Sequence, residues 1–301
     1  MLTNPLVSVV IPTFNRAKEL PRSIRSVLSQ TVRDLELIIV DDASSDDTEI
    51  IVASFDDNRI RYEKLAQNVG GAEARNVGIR MARAEIVAFQ DSDDEWTCSK
   101  LEQALSALDS DKDVGAVFTS FIQLRGDTCR LMPVGRHKLR KENFYQSLLW
   151  QNYVGTPTLV VKKKYLDEVG GFTTSMPRYQ DWDLALKLAQ VTTLKYLREP
   201  TLLSYVTTGS ISQNEGARRV ALERLYEVHK DRIVCQKALK AAWLHRFGDA
   251  QIRSGIMDGR MLLFHAIKCR PLNLRYWVKL LFSIFGCSTY IKLCNAFNNG
   301  R

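Results

Sequence analysis

Short apolar runs and longer amphipathic stretches alternate along the first two hundred residues. Leu6-Val-Ser-Val-Val-Ile-Pro-Thr13, Leu35-Glu-Leu-Ile-Ile-Val40 and Glu85-Ile-Val-Ala-Phe89 are nearly continuous apolar runs of strand length. That is the pattern of strands buried on both faces of a parallel sheet. Ile60–Lys64, Val114–Thr119 and Thr158–Lys162 predict further strands. Between them the apolar positions recur at helical spacing. Pro21 opens a helix with Ile24, Val27 and Leu28 on one face, Ser44–Glu49 starts a second, and Ala72–Ala82 forms a third after the Gly70-Gly71 turn. A helix beginning near Thr97 carries Leu101, Leu105 and Leu108, Lys164–Val169 forms a short one, and another over Leu184 and Leu188 has Asp181 and Asp183 at its start. From Glu215 onward the periodicity is helical throughout. Strand and helix in alternation predict an α/β class, with a mainly parallel, Rossmann-like sheet flanked by helices and a helical C-terminal extension. Two regions are expected, residues 1–205 and 206–301.

Open α/β sheets bind ligands beyond the carboxyl ends of their strands. Three strand ends here carry polar groups: Thr13 to Arg16, Asp41-Asp42, and Asp91-Ser-Asp-Asp-Glu95. The last places four carboxylates in five residues, and something must offset their repulsion. Asp91 and Asp93 lie two apart, so they point the same way in extended chain, and hard oxygens suit Mg²⁺ or Mn²⁺. The alternative is a solvated loop whose acids favour the N-terminus of the next helix by roughly 0.3–1 kcal/mol each. The cluster alone does not separate the two. Asp181 likewise needs no role beyond an N-cap.

Composition narrows the class. With 45% hydrophobic and 25% charged residues the chain is ordinary globular material. It has no basic region followed by an apolar core at its start and no apolar run of spanning length, so neither a secretory leader nor a membrane span is expected. The six cysteines show no metal-ligand spacing and are expected to be reduced, mostly buried thiols of a cytoplasmic protein. The net charge of +8 is unevenly placed: residues 206–301 hold 16 Lys and Arg against 6 Asp and Glu. The first 205 residues are near neutral, and no nucleic-acid module is recognisable, so no nucleic acid is expected as a partner. Arg136–Lys141 is a basic stretch expected to be a solvated loop.

Five blocks stand in order: Val9-Val-Ile-Pro-Thr-Phe-Asn-Arg16, Ile39-Val-Asp-Asp-Ala-Ser-Ser-Asp46, Asn68-Val-Gly-Gly-Ala-Glu-Ala-Arg-Asn-Val-Gly78, Asp91-Ser-Asp-Asp94 and Gln180-Asp-Trp-Asp183. Together they resemble family 2 glycosyltransferases over residues 6–205. The resemblance implies a GT-A fold, a nucleotide-diphosphate sugar donor, a divalent cation (Mn or Mg), and an inverting displacement onto an acceptor hydroxyl. It places Pro12 and Phe14 at the nucleotide base, with Asp42 accepting a hydrogen bond from it and Asp41 beside it. Arg75 lies near the donor. Asp91 and Asp93 form the DxD element, Asp91 towards ribose or sugar and Asp93 on the metal. Asp181 is the catalytic base. Two positions depart from the family's usual residues, Phe14 standing for Tyr and Gln180 for Glu; Gln180 is expected to keep a polar contact but cannot be a base. Asp94 and Glu95 are left as carboxylates favouring the following helix. The acceptor implied is a glycan or lipid-linked molecule of cell-surface polysaccharide, lipopolysaccharide or glycolipid assembly.

Two other readings are a sugar-nucleotide nucleotidyltransferase, whose glycine-rich phosphate loop is missing after the first strand, and a non-catalytic nucleotide-sugar-binding protein. In the tail, Pro271–Phe285 mixes cations with Trp277, Leu280, Leu281, Phe282 and Ile284. It is expected either to dock on the catalytic domain or to make a peripheral contact with the inner face of the cytoplasmic membrane.

Overall fold

A computed structural model of the chain describes residues 4–133, 143–206 and 214–299. The basic stretch Arg136–Lys141 lies outside the described residues. The elements run β1 (Val7–Thr13), α1 (Leu20–Leu28), β2 (Leu35–Asp41), α2 (Thr48–Ala53), β3 (Ile60–Lys64), α3 (Gly71–Met81), β4 (Ile86–Phe89) and β5 (Glu95–Trp96). Then come α4 (Lys100–Asp109), β6 (Val114–Arg125), β7 (Thr128–Met132), α5 (Phe144–Trp150), β8 (Val160–Lys162), α6 (Lys163–Glu168), α7 (Gln180–Val191) and β9 (Thr193–Tyr205). The remaining helices are α8 (Glu215–Val234), α9 (Lys237–Arg253), α10 (Gly259–Cys269), α11 (Leu274–Ser283) and α12 (Cys287–Asn299). Two compact units result: residues 1–175 with 180–208, and residues 176–179 with 209–301.

The first unit is a sheet in the order β3-β2-β1-β4-β8-β6-β9-β5, with β7 paired to β6. The expected parallel sheet is present over β3-β2-β1-β4. Beyond it the sheet is mixed: β8 runs antiparallel to β4 and β6, β6 and β9 are parallel, and β5 is antiparallel to β9. Every residue of β1 and β2 is buried, as continuous apolar runs require. Two polar residues interrupt those runs, and they satisfy each other. Ser8 donates to Glu36 Oε1 at 2.6 Å, and Arg61 and Arg83 each donate to Glu36 Oε2 at 2.8 Å. Helix α3 lies so close to β1 that a Cβ on Gly78 would sit 2.3 Å from Val10 Cγ1.

The pattern did not disclose β5, β7, β9 or α5. Strand β9 contains Glu199-Pro200, and its pairing with β6 shifts register where Pro200 meets Ser120; an irregular strand loses its period-two signal. The cysteine expectation is corrected. Cys98, Cys129 and Cys235 are exposed and only Cys294 is buried, because the exposed three stand before a helix, on the edge strand β7 and at a helix C-cap.

In the second unit, α11 packs through Tyr276 and Leu280 on Ala241, Ala266 and Ile267 of α9 and α10. Trp277, Leu281 and Ile284 are exposed. No helix among the described residues is long and apolar enough to cross a membrane.

Candidate active site

The site is built at the carboxyl ends of β1, β2 and β4. The β1–β2 register ends with Thr13 opposite Asp41, so the loops that follow start level and interlock. Asn15 donates its backbone N–H to Ser44 Oγ at 2.8 Å and accepts from the Ser45 N–H at 2.8 Å, while Ala17 N–H reaches Asp46. Asn15 and Ala43 adopt positive φ to make these turns. Pro12 is buried in β1, and Phe14 is 44% exposed, leaving ring surface free beside the β2 end.

Asp41 and Asp42 are both buried, with different partners. Asp41 accepts from Tyr62 Oη and from the Ser44 N–H. Asp42 accepts from the N–H groups of Val69 and Gly70 at 2.7 and 2.8 Å, which ties the β2 end to the start of α3. Each oxygen of a carboxylate has two acceptor sites, so Asp42 retains capacity for a further donor.

Asp91 and Asp93 follow β4 and keep 29% and 22% side-chain exposure. Arg75, from α3, donates to Asp91 Oδ1 at 2.6 Å and to Gln180 Oε1 at 3.4 Å. Gln180 thus makes a polar contact, as expected of it. Arg16 lies 3.7 Å from Asp93, and Arg22 donates to the Asp93 carbonyl while covering the Tyr205 ring. The reading of Asp94 and Glu95 as acids favouring the next helix is corrected. Asp94 is buried and accepts from the Tyr205 N–H at 3.0 Å, and Glu95 lies in β5 and accepts from Tyr205 Oη. Both fasten the acidic loop to β9. Burial, then the fields of Asp91 and Asp93, raise the Asp94 carboxyl well above its ordinary range. Three carboxylates that disturb one another in this way suit a cation. Among the described residues no three His, Cys, Asp or Glu side chains form a ready-made cage. Asp91 and Asp93 still fit Mg²⁺ or Mn²⁺, since such ions are commonly held by one or two carboxylates and complete their shell with phosphate oxygens and water.

Asp181 stands in the first turn of α7, partly buried. Its Oδ1 accepts from the Trp182 N–H at 2.7 Å, and the Asn152 side chain also hydrogen-bonds to it. Burial, with a smaller contribution from the field of Asp91, pushes its carboxyl up to about 6, against the hydrogen bonds and Arg75 that favour ionisation. A base poised near neutrality is what proton abstraction needs. Asp183, by contrast, is buried and accepts from Thr173 Oγ1 at 2.7 Å. Arg75 therefore spans the two parts of the site, touching the acidic loop and the residue beside Asp181.

Sequence reasoning left out the residues that hold this arrangement. Phe172 lies under the Arg75 guanidinium and packs edge-on against Phe89. Asn76 exchanges two hydrogen bonds with the Phe172 backbone. Gly171 precedes it with φ of +64°, and a Cβ there would lie 2.5 Å from Asn76 Oδ1. No local sequence pattern marks Gly171 or Phe172 as a support of Arg75.

Residues 8–170 match Glycosyl transferase family 2. A UDP-Glc:α-D-GlcNAc-diphosphoundecaprenol β-1,3-glucosyltransferase, WfgD of Escherichia coli, is 32% identical over 162 residues, 54% of this chain and 62% of that protein. An uncharacterized glycosyltransferase of Haemophilus influenzae is 30% identical over 62% of each chain. The match thus spans about three fifths of the length of these two curated relatives. The putative teichuronic acid biosynthesis glycosyltransferase TuaG of Bacillus subtilis is 29% identical over 79% of this chain and 92% of its own. Among solved structures, Staphylococcus aureus TarS 1–349 in complex with UDP-GlcNAc superposes with a TM-score of 0.63 at 19% identity, covering 98% of this chain and 92% of that one. The mannosyltransferase PcManGT of Pyrobaculum calidifontis, in complex with GDP-Man and Mn²⁺, gives 0.60 at 20% identity over 96% and 86%. These similarities show the fold.

Proposed function

The chain belongs to glycosyl transferase family 2, and from that footing we propose that it moves a sugar from a nucleotide-diphosphate donor to an acceptor hydroxyl, with inversion at the anomeric carbon. The observation that carries this is the Arg75 bridge: one guanidinium joins Asp91 to Gln180, next to a carboxyl held at about 6. That bridge supports reading the Asp91 loop as a diphosphate platform and Asp181 as the base.

Phe14 offers its exposed ring to the nucleotide base over buried Pro12, and Asp42, with Asp41 beside it, accepts the base N–H. Asp91 faces the ribose or sugar, and Asp93, with Asp91, would hold the divalent cation. That cation supplies charge neutralisation on the departing diphosphate. Arg75 orients Asp91, and its guanidinium is of the type that pairs with phosphate oxygens. Asp181 accepts the proton of the attacking hydroxyl, a step typically contributing about 10²–10⁴-fold. A single displacement needs no second carboxylate as nucleophile, in contrast to retaining glycosidases. The Trp182 N–H and Asn152 orient the carboxylate for that transfer.

The acceptor we infer is a growing cell-surface glycan or its lipid-linked form, in line with the relative named as a GlcNAc-diphosphoundecaprenol glucosyltransferase and the one named as a putative teichuronic acid biosynthesis glycosyltransferase. The enzyme would then work in the cytoplasm, at the inner face of the membrane.

Thermal melting with a panel of UDP-, GDP- and dTDP-sugars tests the proposal. One donor class is expected to raise Tm, and only with Mn²⁺ or Mg²⁺ present, because ligand bound to the native state stabilises it. Asp93→Ala should abolish that metal-dependent shift. Stabilisation independent of metal, or none by any donor, would contradict the platform.

A further inference from the structure

Helix α11 turns Lys279 inward beside Tyr276 and Leu280, and leaves other large apolar residues facing outward. Lys279 is 5% exposed, with its Nζ 2.5 Å from Asp249 Oδ1. Tyr276 is buried in a cluster with Ala241, Ala266 and Ile267, and the Ser283 carbonyl accepts from Arg260. On the other side Leu274, Trp277 and Leu281 are 77%, 46% and 56% exposed, and Ile284 and Phe285, just past the helix, are 63% and 61% exposed. Spacings of three and four place the helical members on one stripe. Trp277 donates its indole N–H to the Pro271 carbonyl at 2.7 Å, so the ring offers apolar surface and no free donor. An inward face fixed by an ion pair and an outward face of Leu, Trp, Leu, Ile and Phe is the reverse of a helix built to meet only water. Contiguous exposed apolar surface of this kind marks an interaction site.

Charge decides what fits it. From Gly259 to the last residue the sequence contains seven Lys and Arg and no Asp or Glu. Lys268, Arg270, Arg275 and Lys292 are exposed. A second copy of this face would set like charges against each other. An anionic lipid surface takes both components: the apolar side chains enter the acyl boundary, and the cations meet the headgroups. We propose that α11 and Ile284-Phe285 form an interfacial anchor that lies on an anionic membrane. No described helix is both long and apolar enough to span one, so the contact proposed is peripheral. The anchor deepens, and takes its purpose from, the reading of the acceptor as lipid-linked. Its binding needs neither donor nor acceptor, so the two can fail separately.

Flotation of the full chain with phosphatidylcholine vesicles, with and without phosphatidylglycerol, tests the anchor. Binding is expected to be roughly tenfold or more tighter with the anionic lipid and to weaken with salt. A variant carrying Leu281→Ser, Ile284→Ser and Phe285→Ser should lose roughly tenfold on all vesicles. A second, with Lys268→Glu, Arg270→Glu and Arg275→Glu, should lose the preference for the anionic ones. The altered side chains are all exposed, so both variants should keep the wild-type melting temperature and circular dichroism; the charge variant remains decisive if the apolar one does not fold. Equal flotation with neutral and anionic vesicles would overturn the proposal, as would binding untouched by either set. A stable dimer in sedimentation, dissolved by the apolar substitutions and unable to float, would assign the face to a second copy instead.

Discussion

Asp181 and Asp249 are both carboxylates drawn into the protein, one in each compact unit, and their surroundings differ in kind. Asp249, on α9, meets Lys279 at 2.5 Å, Arg218 at 3.0 Å and Arg253 at 3.3 Å, and accepts from Tyr290 Oη at 2.8 Å. Burial would push its carboxyl up, but Lys279 and Arg218, followed by Arg253, hold it far below the usual range. Asp181 has a backbone N–H and an amide as hydrogen-bond partners, with Arg75 acting only through its field, and burial leaves it at about 6. The first is saturated with cations and fixed in one protonation state. The second stays near the point of exchange at physiological pH. The difference separates a carboxylate that holds structure from one able to take a proton.

The contrast breaks most visibly at Asp249. Asp249→Ala strips buried Lys279 of its carboxylate and Arg218 and Arg253 of one partner each, and should cost about 3–5 kcal/mol of unfolding free energy, read from urea denaturation followed by a probe within α8–α12. A loss under about 1 kcal/mol, the scale of a surface pair, would mean that the hub is not what holds those helices.

Next in size are two pH dependences that should fall in different windows. The lowered Asp249 carboxyl contributes stability that is complete above the unfolded carboxylate pKa of about 4 and is lost as acid is added below it. Asp181 is raised, so its native form binds a proton more readily than the unfolded chain does. Its effect on stability therefore runs the other way, decreasing as pH rises from about 4 to 6. Turnover should climb with pH through a limb near 6 as the base ionises. A pH–rate profile flat between 5 and 7 would remove Asp181 from the chemistry while leaving the stability windows intact.

The smallest effect sharpens the same point. Arg75 favours the ionised form of Asp181, so Arg75→Met should move the rate limb to higher pH and also weaken donor binding. Loss of donor binding with an unmoved limb would confine Arg75 to the platform.

What the sequence disclosed follows the same physics. Strands β1, β2 and β4 were legible because burial on both faces demands an unbroken apolar run, and their polar ends stood out against it. Asp91 and Asp93 were visible by spacing, and the ordered blocks tied Asp42, Arg75 and Asp181 to them. Asp94 and Glu95 were misassigned because their partner, Tyr205, lies in a strand whose period is broken at Glu199-Pro200, and no local pattern points to it. Asn152 and Phe172 act on Asp181 and Arg75 across the fold, from segments with no periodicity of their own. The mixed cations and apolar residues of α11 were visible, but the Lys279–Asp249 pair and the packing of Tyr276 show which side is turned in.

The central claim is that Asp181 takes the proton. Single-turnover transfer by Asp181→Asn, with the donor-induced rise in Tm measured on the same preparation, tests it most directly. The expected result is a loss of about 10³-fold or more in transfer, with the metal-dependent Tm shift preserved and no loss of stability above pH 6. Turnover near the wild-type rate would contradict the account.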